Sequence, residues 1–515
     1  MTNRVLLALA CVLLVVRLPS LMQPMGADQG LYAYIGDRIR SGGVPYRDAW
    51  DQKPPAIHLT YAVMRAALPR DAAVPAADLI MAGLIAVLLW QLGHALAGGL
   101  VGPWASVVFL FLGNPAFARL GGVSVRAQCE TFIAAAVTAA FACLARTREA
   151  ERPVALSTVA GALFGIAFAF KYNTIAYLPA GLFALFAWRQ FTPKAIVGMG
   201  VGFVVPVAAC AIWFAAGHAL RDLYDATITY NIGYSGETYA GPWHAIAYLL
   251  TFPVRHARVD ALWLVGGAGC AVLLVAGRRR LDRLIPVAWT ASACLSIAIN
   301  GSRDLPQYFV QAAPALALAA ASGATFLRTS SRIANTLVAC VIAVAIWRVD
   351  DFGKLVDNTR HDLRFMLGAM PRTEHLARYG DRATRKYSAL AMDELGAFME
   401  SHSTPADTVY VFGFSSGAYV RAERVAASRF FWSRPVIVGF NQGRPGYGVP
   451  GLLEDLRRAS PAIVALQQRD WYPDVDDSAH FFMTTPSLAN WLRESYQPAP
   501  GPGGYDIWMK RTSAR

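Results

Sequence analysis

A carboxylate and an ammonium group stand in one polar stretch near the start of the chain. Asp28 follows the first apolar run, and Lys53 comes directly before two prolines. At the depth of the membrane surface, a lysine suits an anionic headgroup and an aspartate beside it suits a proton acceptor. The structural alternative is that Asp28 caps a helix and that the Lys53 side chain extends along the membrane interface.

Further charged and polar side chains occur at the ends of later apolar runs. Arg126, Gln128 and Glu130 precede one such run, and Lys171 separates two others. Carboxylates can accept a proton or hold a cation, and guanidinium or ammonium groups can stabilise developing negative charge. As alternatives, Arg126 marks the membrane interface and Lys171 anchors a hairpin tip there.

The elements that must position these groups are membrane-spanning helices. Of the 515 residues, 55% are hydrophobic and only 16% are charged. Up to Trp347, the charges sit in short clusters between apolar runs that approach the roughly 20 residues needed to cross a bilayer. The pattern predicts a polytopic α-helical membrane protein with about eleven transmembrane helices.

Basic clusters predict the orientation of these helices. The net charge of +13 is concentrated in short loops between helices, which is typical of cytoplasmic turns and argues against nucleic acid as a partner. With those loops inside, the N-terminus is cytoplasmic, and the loops that carry Asp28 and Glu130 share the outer face. The clusters are Arg146–Arg152, Arg189–Lys194, Arg278–Arg283 and Arg328–Arg332.

The first outer loop, about 21–76, departs from this charge rule. It contains Arg38, Arg40, Arg47 and Lys53. An anionic ligand at the membrane surface, or the headgroups of ordinary lipids, would explain why an outer loop keeps these cations. Apolar residues at helical spacing predict two interfacial amphipathic helices in it, over 29–41 and 56–68.

A second long outer stretch is predicted at 217–257. It is rich in tyrosine and also contains a tryptophan. It is long enough to close over a bound molecule as a lid, although Tyr and Trp are also ordinary residues of the membrane interface. Seven cysteines all lie before residue 350 without a C-x-x-C pair, so they indicate neither a disulfide framework nor a metal cluster.

The composition becomes ordinary after Arg348, which divides the chain into a transmembrane domain, 1–350, and a soluble domain, 351–515. The soluble part is predicted to be a small α/β domain on the periplasmic side. Its predicted helices are 385–400, 450–459 and 487–495, and its predicted strands are 408–412, 462–466 and 505–509.

One motif in the soluble part suggests a different chemistry. Residues 413–417 read G-x-S-x-G after a predicted strand, with Asp474 and His480 downstream in the order of an α/β-hydrolase triad. The segment after Ser415 is too short for the long helix of that fold, and the domain is too small. Acceptor binding or shielding of the site is therefore favoured for this domain.

The first outer loop resembles that of the GT-C glycosyltransferases. Residues 42–55 read G-x-x-P-Y-x-D-x-W-D-x-K-P-P, after an acidic residue and a tyrosine-containing helix. The most similar branch is the bacterial group of aminoarabinose transferases, galacturonosyltransferases and protein O-mannosyltransferases. Further matches run in order to about residue 325: Asn114-Pro115, Arg126 to Phe132, Phe170-Lys171 with Pro179, and Tyr308-Phe309 with Pro314. Gln307 stands where the family has a histidine.

The resemblance implies a bacterial inner-membrane enzyme that moves a sugar from a polyprenyl-phosphate donor to an acceptor hydroxyl, usually with inversion. The acceptor would be a lipid or glycan, less readily a protein. Asp28 would be the general base, and Glu130 would orient the acceptor or share a divalent cation (Mg²⁺, Mn²⁺ or Ca²⁺) with it. The residues implied in substrate binding are Tyr46, Asp51, Lys53, Arg126, Gln128, Lys171 and Tyr308.

Two other classes of function remain open from the residues alone. A lipid or polysaccharide transporter would favour ionisable residues at mid-membrane and internal repeats, whereas the acids here stand at helix ends. A non-catalytic scaffold would not need Asp28, Lys53 and Glu130 together on one membrane face.

Overall fold

A computed structural model describes residues 2–68, 72–117, 122–236, 238–276, 279–301, 305–328, 331–380, 387–471 and 477–511. Arg278 of the basic clusters and Asp474 of the hydrolase-like motif lie outside these ranges. The chain forms a bundle of apolar helices followed by a domain built on one β-sheet. The predicted fold class, a polytopic helical membrane protein with a C-terminal α/β domain, is confirmed.

The bundle contains a helix at each predicted transmembrane position. Within the described ranges, 8 helices are long and apolar enough to cross a membrane unaided. Small residues let them pack closely; for example, a Cβ on Gly202 would lie 1.9 Å from the Thr158 carbonyl oxygen. The eight are Arg4–Met22, Ala73–Ala97, Cys129–Arg146, Pro153–Phe170, Pro193–Ala216, Leu281–Ile299, Pro306–Leu327 and Arg332–Val349.

Two shorter apolar helices and one bent pair complete the bundle. Val101–Leu112 and Tyr172–Ala187 are the shorter helices, and Pro242–Ala257 meets the following Ala261–Ala276 helix at an angle of 114°. The stretch 217–257, predicted to lie outside the membrane, is therefore helical over much of its length, and its outer position stays a prediction. Its second half is an apolar helix whose proline and basic end resemble a loop in sequence.

The first half of that stretch is also helical. Leu220–Tyr224 continues through a wider π-helical turn, Asp225–Thr229, into Tyr230–Gly236. A π turn is a frequent device at functional sites because it shifts the side chains that follow it around the helix. Here Thr227 lies in the π turn and contacts the Tyr172 hydroxyl, and Asn231, which follows it, donates to the Gln52 carbonyl of the first outer loop.

Two amphipathic helices lie between the first two spans, as predicted. They are Ala27–Arg40 and Ala56–Ala67. Arg65 of the second helix binds Asp37 of the first in a two-pronged ion pair, with N···O distances of 2.8 and 2.7 Å. The pair fixes the two helices side by side.

The remaining helices connect the bundle to the C-terminal sheet and cover it. Phe352–Met366 begins at an Asp351 side-chain cap, and Ala389–Ser401 begins at a Ser388 cap. Caps of this kind satisfy backbone N–H groups at a helix start. The other helices are Arg372–Ala377, Gly417–Ala422, Arg434–Ile437, Gly448–Ala459, Ser478–Thr484 and Pro486–Ser495.

The C-terminal sheet has five strands in the order β2-β1-β3-β5-β4. Strand β1 pairs in parallel with β2 and β3, whereas β5 is antiparallel to both β3 and β4. Every residue of β3 is buried, which explains its uninterrupted apolar sequence. The strands are β1 Thr408–Phe412, β2 Val425–Ala426, β3 Ile463–Gln467, β4 Tyr496–Ala499 and β5 Tyr505–Lys510.

The C-terminal domain packs directly on the first outer loop. A Cβ on Gly30 would lie only 2.7 Å from the Gly417 backbone nitrogen, so the two helices meet through glycines. Nearby, Trp432 donates its indole N–H to the Trp50 carbonyl at 2.9 Å. The loop that carries Asp28 and Lys53 is therefore held between the bundle and the domain. The boundary near residue 350 stays a prediction.

Candidate active site

Asp28 lies in the first turn of the Ala27–Arg40 helix. The next residue, Gln29, is fully buried and donates to the Val123 and Arg126 carbonyls at 2.7 and 2.8 Å. These bonds attach the start of the helix to the loop that precedes Glu130. Gln29 was not identified from the sequence, because nothing in its neighbourhood distinguishes it from a surface glutamine.

Asp28 is half-buried, and within the described ranges its carboxylate has no ion-pair partner at contact distance. Gln128 approaches it with its amide nitrogen at 3.4 Å, and Tyr32 donates to the Gln128 oxygen at 3.3 Å. Burial raises the pKa of the Asp28 carboxyl above its usual range, while the charges of Lys53 and Lys171 oppose part of the rise. A raised pKa makes a carboxylate a stronger base once it is ionised.

Glu130 has a different environment. It is 1% exposed, in the first turn of the Cys129–Arg146 helix, and its carboxylate accepts from the Lys171 ammonium. The same ammonium lies 4.1 Å from the centre of the Tyr308 ring, a cation–π contact. Lys171 is thus buried between an acid and an aromatic ring, and does not extend into the interface from a hairpin tip.

The ion pair between Glu130 and Lys171 predicts a strong effect on stability. Glu130→Gln leaves a buried ammonium without its counter-ion, and we expect the free energy of unfolding in detergent to fall by about 3–5 kcal/mol. The double variant Glu130→Gln/Lys171→Met should recover most of that loss. Glu400→Gln, in a partly exposed pair with Arg421, should have a much smaller effect. Additive losses in the double variant would contradict the pairing.

Lys53 and Lys171 line the same cavity, which has a volume of about 220 Å³. Tyr46 donates to the Lys53 carbonyl at 2.7 Å, and Asn231 donates to the Gln52 carbonyl at 2.7 Å, so the backbone beneath Lys53 is held on both sides. Two ammonium groups at one cavity are suited to a doubly charged oxyanion. Other lining residues are Gln52, Pro54, Tyr172, Asn173, Thr227, Tyr234, Asn300 and Tyr308.

Several of these lining residues were missed in the sequence. Asn173 donates to the Ser296 carbonyl at 2.7 Å, and Asn300 follows the end of the Leu281–Ile299 span. The signal that could have identified Asn173 and Asn300 is that each is an asparagine just after an apolar run. Asn231 was missed, because no motif marks it within the predicted outer stretch. Tyr234 belongs to the tyrosines of that stretch that were predicted to form a lid, and it lines the cavity.

Asp51, Tyr46 and Arg126 were predicted to bind substrate, and none of their side chains lines the cavity. Asp51 is buried, with an oxygen 3.3 Å from the His58 ring. Burial raises the pKa of Asp51 to about 7 and lowers that of His58 to about 3. Tyr46 has a left-handed backbone (φ 69°) and is fully buried, which shapes the turn before Lys53.

Arg126 belongs to a separate buried cluster. Its guanidinium binds the Gln23 side-chain oxygen at 2.7 Å and lies 3.5 Å from Asp78, which also neutralises Arg17 at 3.8 Å. A buried guanidinium needs a counter-charge. The structure therefore joins Arg126 to Asp78 and not to the cavity that contains the lysines.

The G-x-S-x-G motif of the C-terminal domain is used in packing. The Ser415 hydroxyl contacts the Tyr505 hydroxyl at 2.6 Å and the Gln467 side-chain oxygen at 2.9 Å. Within the described ranges no basic side chain contacts Ser415, and a short helix, Gly417–Ala422, follows it. A Cβ on Gly417 would lie 2.3 Å from the Met392 sulfur, so this glycine is required by packing.

The chain is similar to several solved structures, of which three are described. ArnT from Cupriavidus metallidurans, bound to undecaprenyl phosphate, is 15% identical with a TM-score of 0.62, and the match covers 100% of this chain and 99% of that one. The oligosaccharyltransferase AglB from Archaeoglobus fulgidus, in complex with an inhibitory peptide and a dolichol-phosphate, is 12% identical with a TM-score of 0.50, covering 100% and 74%. The arabinofuranosyltransferase AftD from mycobacteria is 12% identical with a TM-score of 0.50, covering 98% and 42%. Neither a protein-family model nor a curated protein matches the sequence.

A metal ion is also found with this fold. Another structure of the Archaeoglobus fulgidus enzyme, 12% identical with a TM-score of 0.50 and covering 97% of this chain and 72% of that one, holds Zn and sulfate. In the part of this chain that the structure describes, no group of three or more His, Cys, Asp or Glu side chains could hold a metal ion. Glu130, one of the two predicted ligands, is already bound by Lys171. These residues do not fit a shared cation between Asp28 and Glu130.

Proposed function

From the GT-C fold of this chain, we propose that it is a membrane glycosyltransferase that takes a sugar from a polyprenyl-phosphate donor. The sugar is transferred to a hydroxyl of a lipid or glycan acceptor. The observation that carries the proposal is that Lys53 and Lys171 line one cavity and that the charges of both act on Asp28, an aspartate with no ion-pair partner at contact distance in the described ranges.

The two ammonium groups bind the phosphate of the donor. When the bond between the sugar C1 and the phosphate oxygen breaks, the electron pair stays on that oxygen and the lipid phosphate gains a negative charge. Lys53 has a backbone fixed by Tyr46, and Lys171 is fixed by Glu130 and Tyr308. Cations held in place before the reaction stabilise charge as it develops, without the cost of moving them.

Asp28 accepts the proton of the acceptor hydroxyl. That oxygen attacks C1 of the sugar, so the new glycosidic bond forms as the bond to phosphate breaks. The proton passes to the Asp28 carboxylate, which Gln128 orients through its amide nitrogen. Because Lys171 binds the Glu130 carboxylate, Asp28 is the predicted catalytic carboxylate that remains without an ion pair in the described ranges. A single base supports direct displacement, with inversion at C1.

Membrane orientation forms part of the proposal. The basic turns, such as Arg146–Arg152, lie at the end of the bundle away from the cavity, and the positive-inside rule places them in the cytoplasm. The cavity and the C-terminal domain then face the periplasm of a bacterial inner membrane. The acceptor reaches the cavity beside the domain that packs on the first loop.

Transfer by the purified chain in detergent tests the proposed activity. We expect a labelled polyprenyl-phosphate sugar, incubated with the protein and an envelope lipid extract, to give a labelled glycolipid and free polyprenyl phosphate. A micelle has no separate compartments, so transport alone gives no product. Mass spectrometry of envelope glycolipids from cells with and without the protein then identifies the acceptor. If several donor sugars and a complete extract give no product, and the two envelopes are identical, the proposal fails.

A further inference from the structure

A second cleft lies between the first outer loop and the C-terminal domain. Its volume is about 640 Å³, nearly three times that of the cavity that contains Lys53. One wall is formed by the two amphipathic helices and the other by the Gly417–Ala422 helix and the residues after it. The charged residues that line it are Asp37, Arg38, Arg40, Arg65, Glu423 and Arg424.

These residues give the cleft an excess of positive charge. Four guanidinium groups stand against two carboxylates. Asp37 is bound by Arg65 on both oxygens and by Arg40 at 3.3 Å. Arg424 donates to the Ala422 and Ser403 carbonyls and to other neutral acceptors. These partners occupy its N–H donors but do not neutralise its positive charge. The cleft therefore attracts anions.

Arg38 provides donors that the protein does not use. Among the described residues its guanidinium makes no hydrogen bond or ion pair, although its Nε is buried. A buried guanidinium N–H without an acceptor is costly, so an acceptor from outside the chain would stabilise this arrangement. Arg40, two residues nearer the helix end, is exposed and has donors beyond its single contact with Asp37.

The place of the two amphipathic helices in the chain indicates that the cleft lies close to the membrane surface. Both amphipathic helices connect two membrane spans, Arg4–Met22 and Ala73–Ala97. Arg65 points into the cleft, whereas Val63, two residues earlier, is 69% exposed on the outer side of the same helix. A helix that lies in the membrane interface has this arrangement, with an apolar face on one side and cationic side chains on the other.

We propose that this cleft binds the phosphate of a membrane lipid headgroup, with Arg38 and Arg40 as the donors. The planar fork of a guanidinium matches two phosphate oxygens, and Arg38 and Arg40 leave such donors available. Ten residues of helix separate Asp28 from Arg38, a rise of about 15 Å. The site is therefore distinct from the cavity for the donor phosphate and does not depend on the proposed transfer activity.

Binding of short-chain lipids to the full-length protein in a neutral detergent tests this site. We expect dihexanoyl phosphatidylglycerol to bind saturably, and Arg38→Gln/Arg40→Gln to weaken binding by about tenfold or more, with Arg38→Lys/Arg40→Lys in between. Arg457→Gln/Arg493→Gln, which removes the same two charges at exposed positions, should leave the affinity unchanged. Binding should weaken with added salt.

Two further probes decide the source of the phosphate. Dihexanoylglycerol, which lacks the phosphate, should not bind, and inorganic phosphate should bind much more weakly than the lipid. Equal affinity for inorganic phosphate would overturn the lipid assignment, and equal binding of the double glutamine variant would overturn the site. A thermal melt shows whether that variant is folded. If it is not, the lysine variant and the effect of salt on the wild-type chain decide.

Discussion

Asp28→Asn is expected to lower the rate of sugar transfer by about 10²–10⁴-fold while leaving donor binding nearly unchanged. The asparagine keeps the size of the side chain and an oxygen for the Gln128 amide, but it cannot take the acceptor proton. The loss should therefore appear in kcat and not in the KM for the donor.

The pH dependence of transfer gives a second test of Asp28. Burial raises the pKa of this carboxyl, and only the ionised form can act as a base. The rate should therefore rise with pH through a pKa above the ordinary value for aspartate. In Asp28→Asn this rise should disappear from the residual activity. Asp48→Asn, an acid on the same loop that bonds Val44 and Arg47, is the matched control and should keep both rate and pH profile. Equal activity of Asp28→Asn and wild type would remove the general base from the mechanism.

Lys53→Gln should weaken the binding of polyprenyl phosphate by about 10–150-fold, because a hydrogen bond to a charged group is worth about 1.5–3 kcal/mol. Lys53 has no ion-pair partner at contact distance in the described ranges, so its removal breaks no direct ion pair. Only its longer-range charge effect on the Asp28 and Asp51 carboxyls is lost. The stability of the protein should change little. This separates Lys53 from Lys171, whose loss also unpairs Glu130.

The measurement for Lys53 is a titration of the purified protein with polyprenyl phosphate. Lys354→Gln, in a helix of the C-terminal domain, removes the same charge away from the cavity and should leave the affinity unchanged. If Lys53→Gln binds as tightly as wild type, the cavity does not hold the phosphate. If both variants lose affinity equally, net charge and not a specific contact governs binding.

Local sequence patterns predicted most of the architecture. A membrane span must form all its backbone hydrogen bonds internally and be apolar over about 20 residues, so a short window of the sequence is enough to predict its position. Strand β1 and the helices that begin at Ala56 and Cys129 lie where their own residues predict. The helix Pro242–Ala257 was not recognised for the same reason, because a proline and a basic end within one window resemble a loop.

The candidate site was predicted in part. The first outer loop carries Asp28 and Lys53 in one run, so a local motif was enough to select them. The roles of the other residues depended on partners far away in the chain. Arg126 meets Asp78, 48 residues earlier, and Lys171 meets Glu130, 41 residues earlier. The periodicity of the sequence does not indicate which of several buried charged side chains will form an ion pair with one another.

The composition and spacing of the residues were sufficient to predict a helical membrane bundle, a C-terminal α/β domain and a loop that carries an acid and a cation. Folding in three dimensions selected which acid stays without an ion pair, because Lys171 reaches Glu130 and leaves Asp28 beside the cavity. It also left Arg38 without an acceptor in the described ranges and joined the Gly30 and Gly417 helices. The reason is that hydrophobicity acts over neighbouring residues, whereas the pairing of buried charges is settled by contacts between distant parts of the chain.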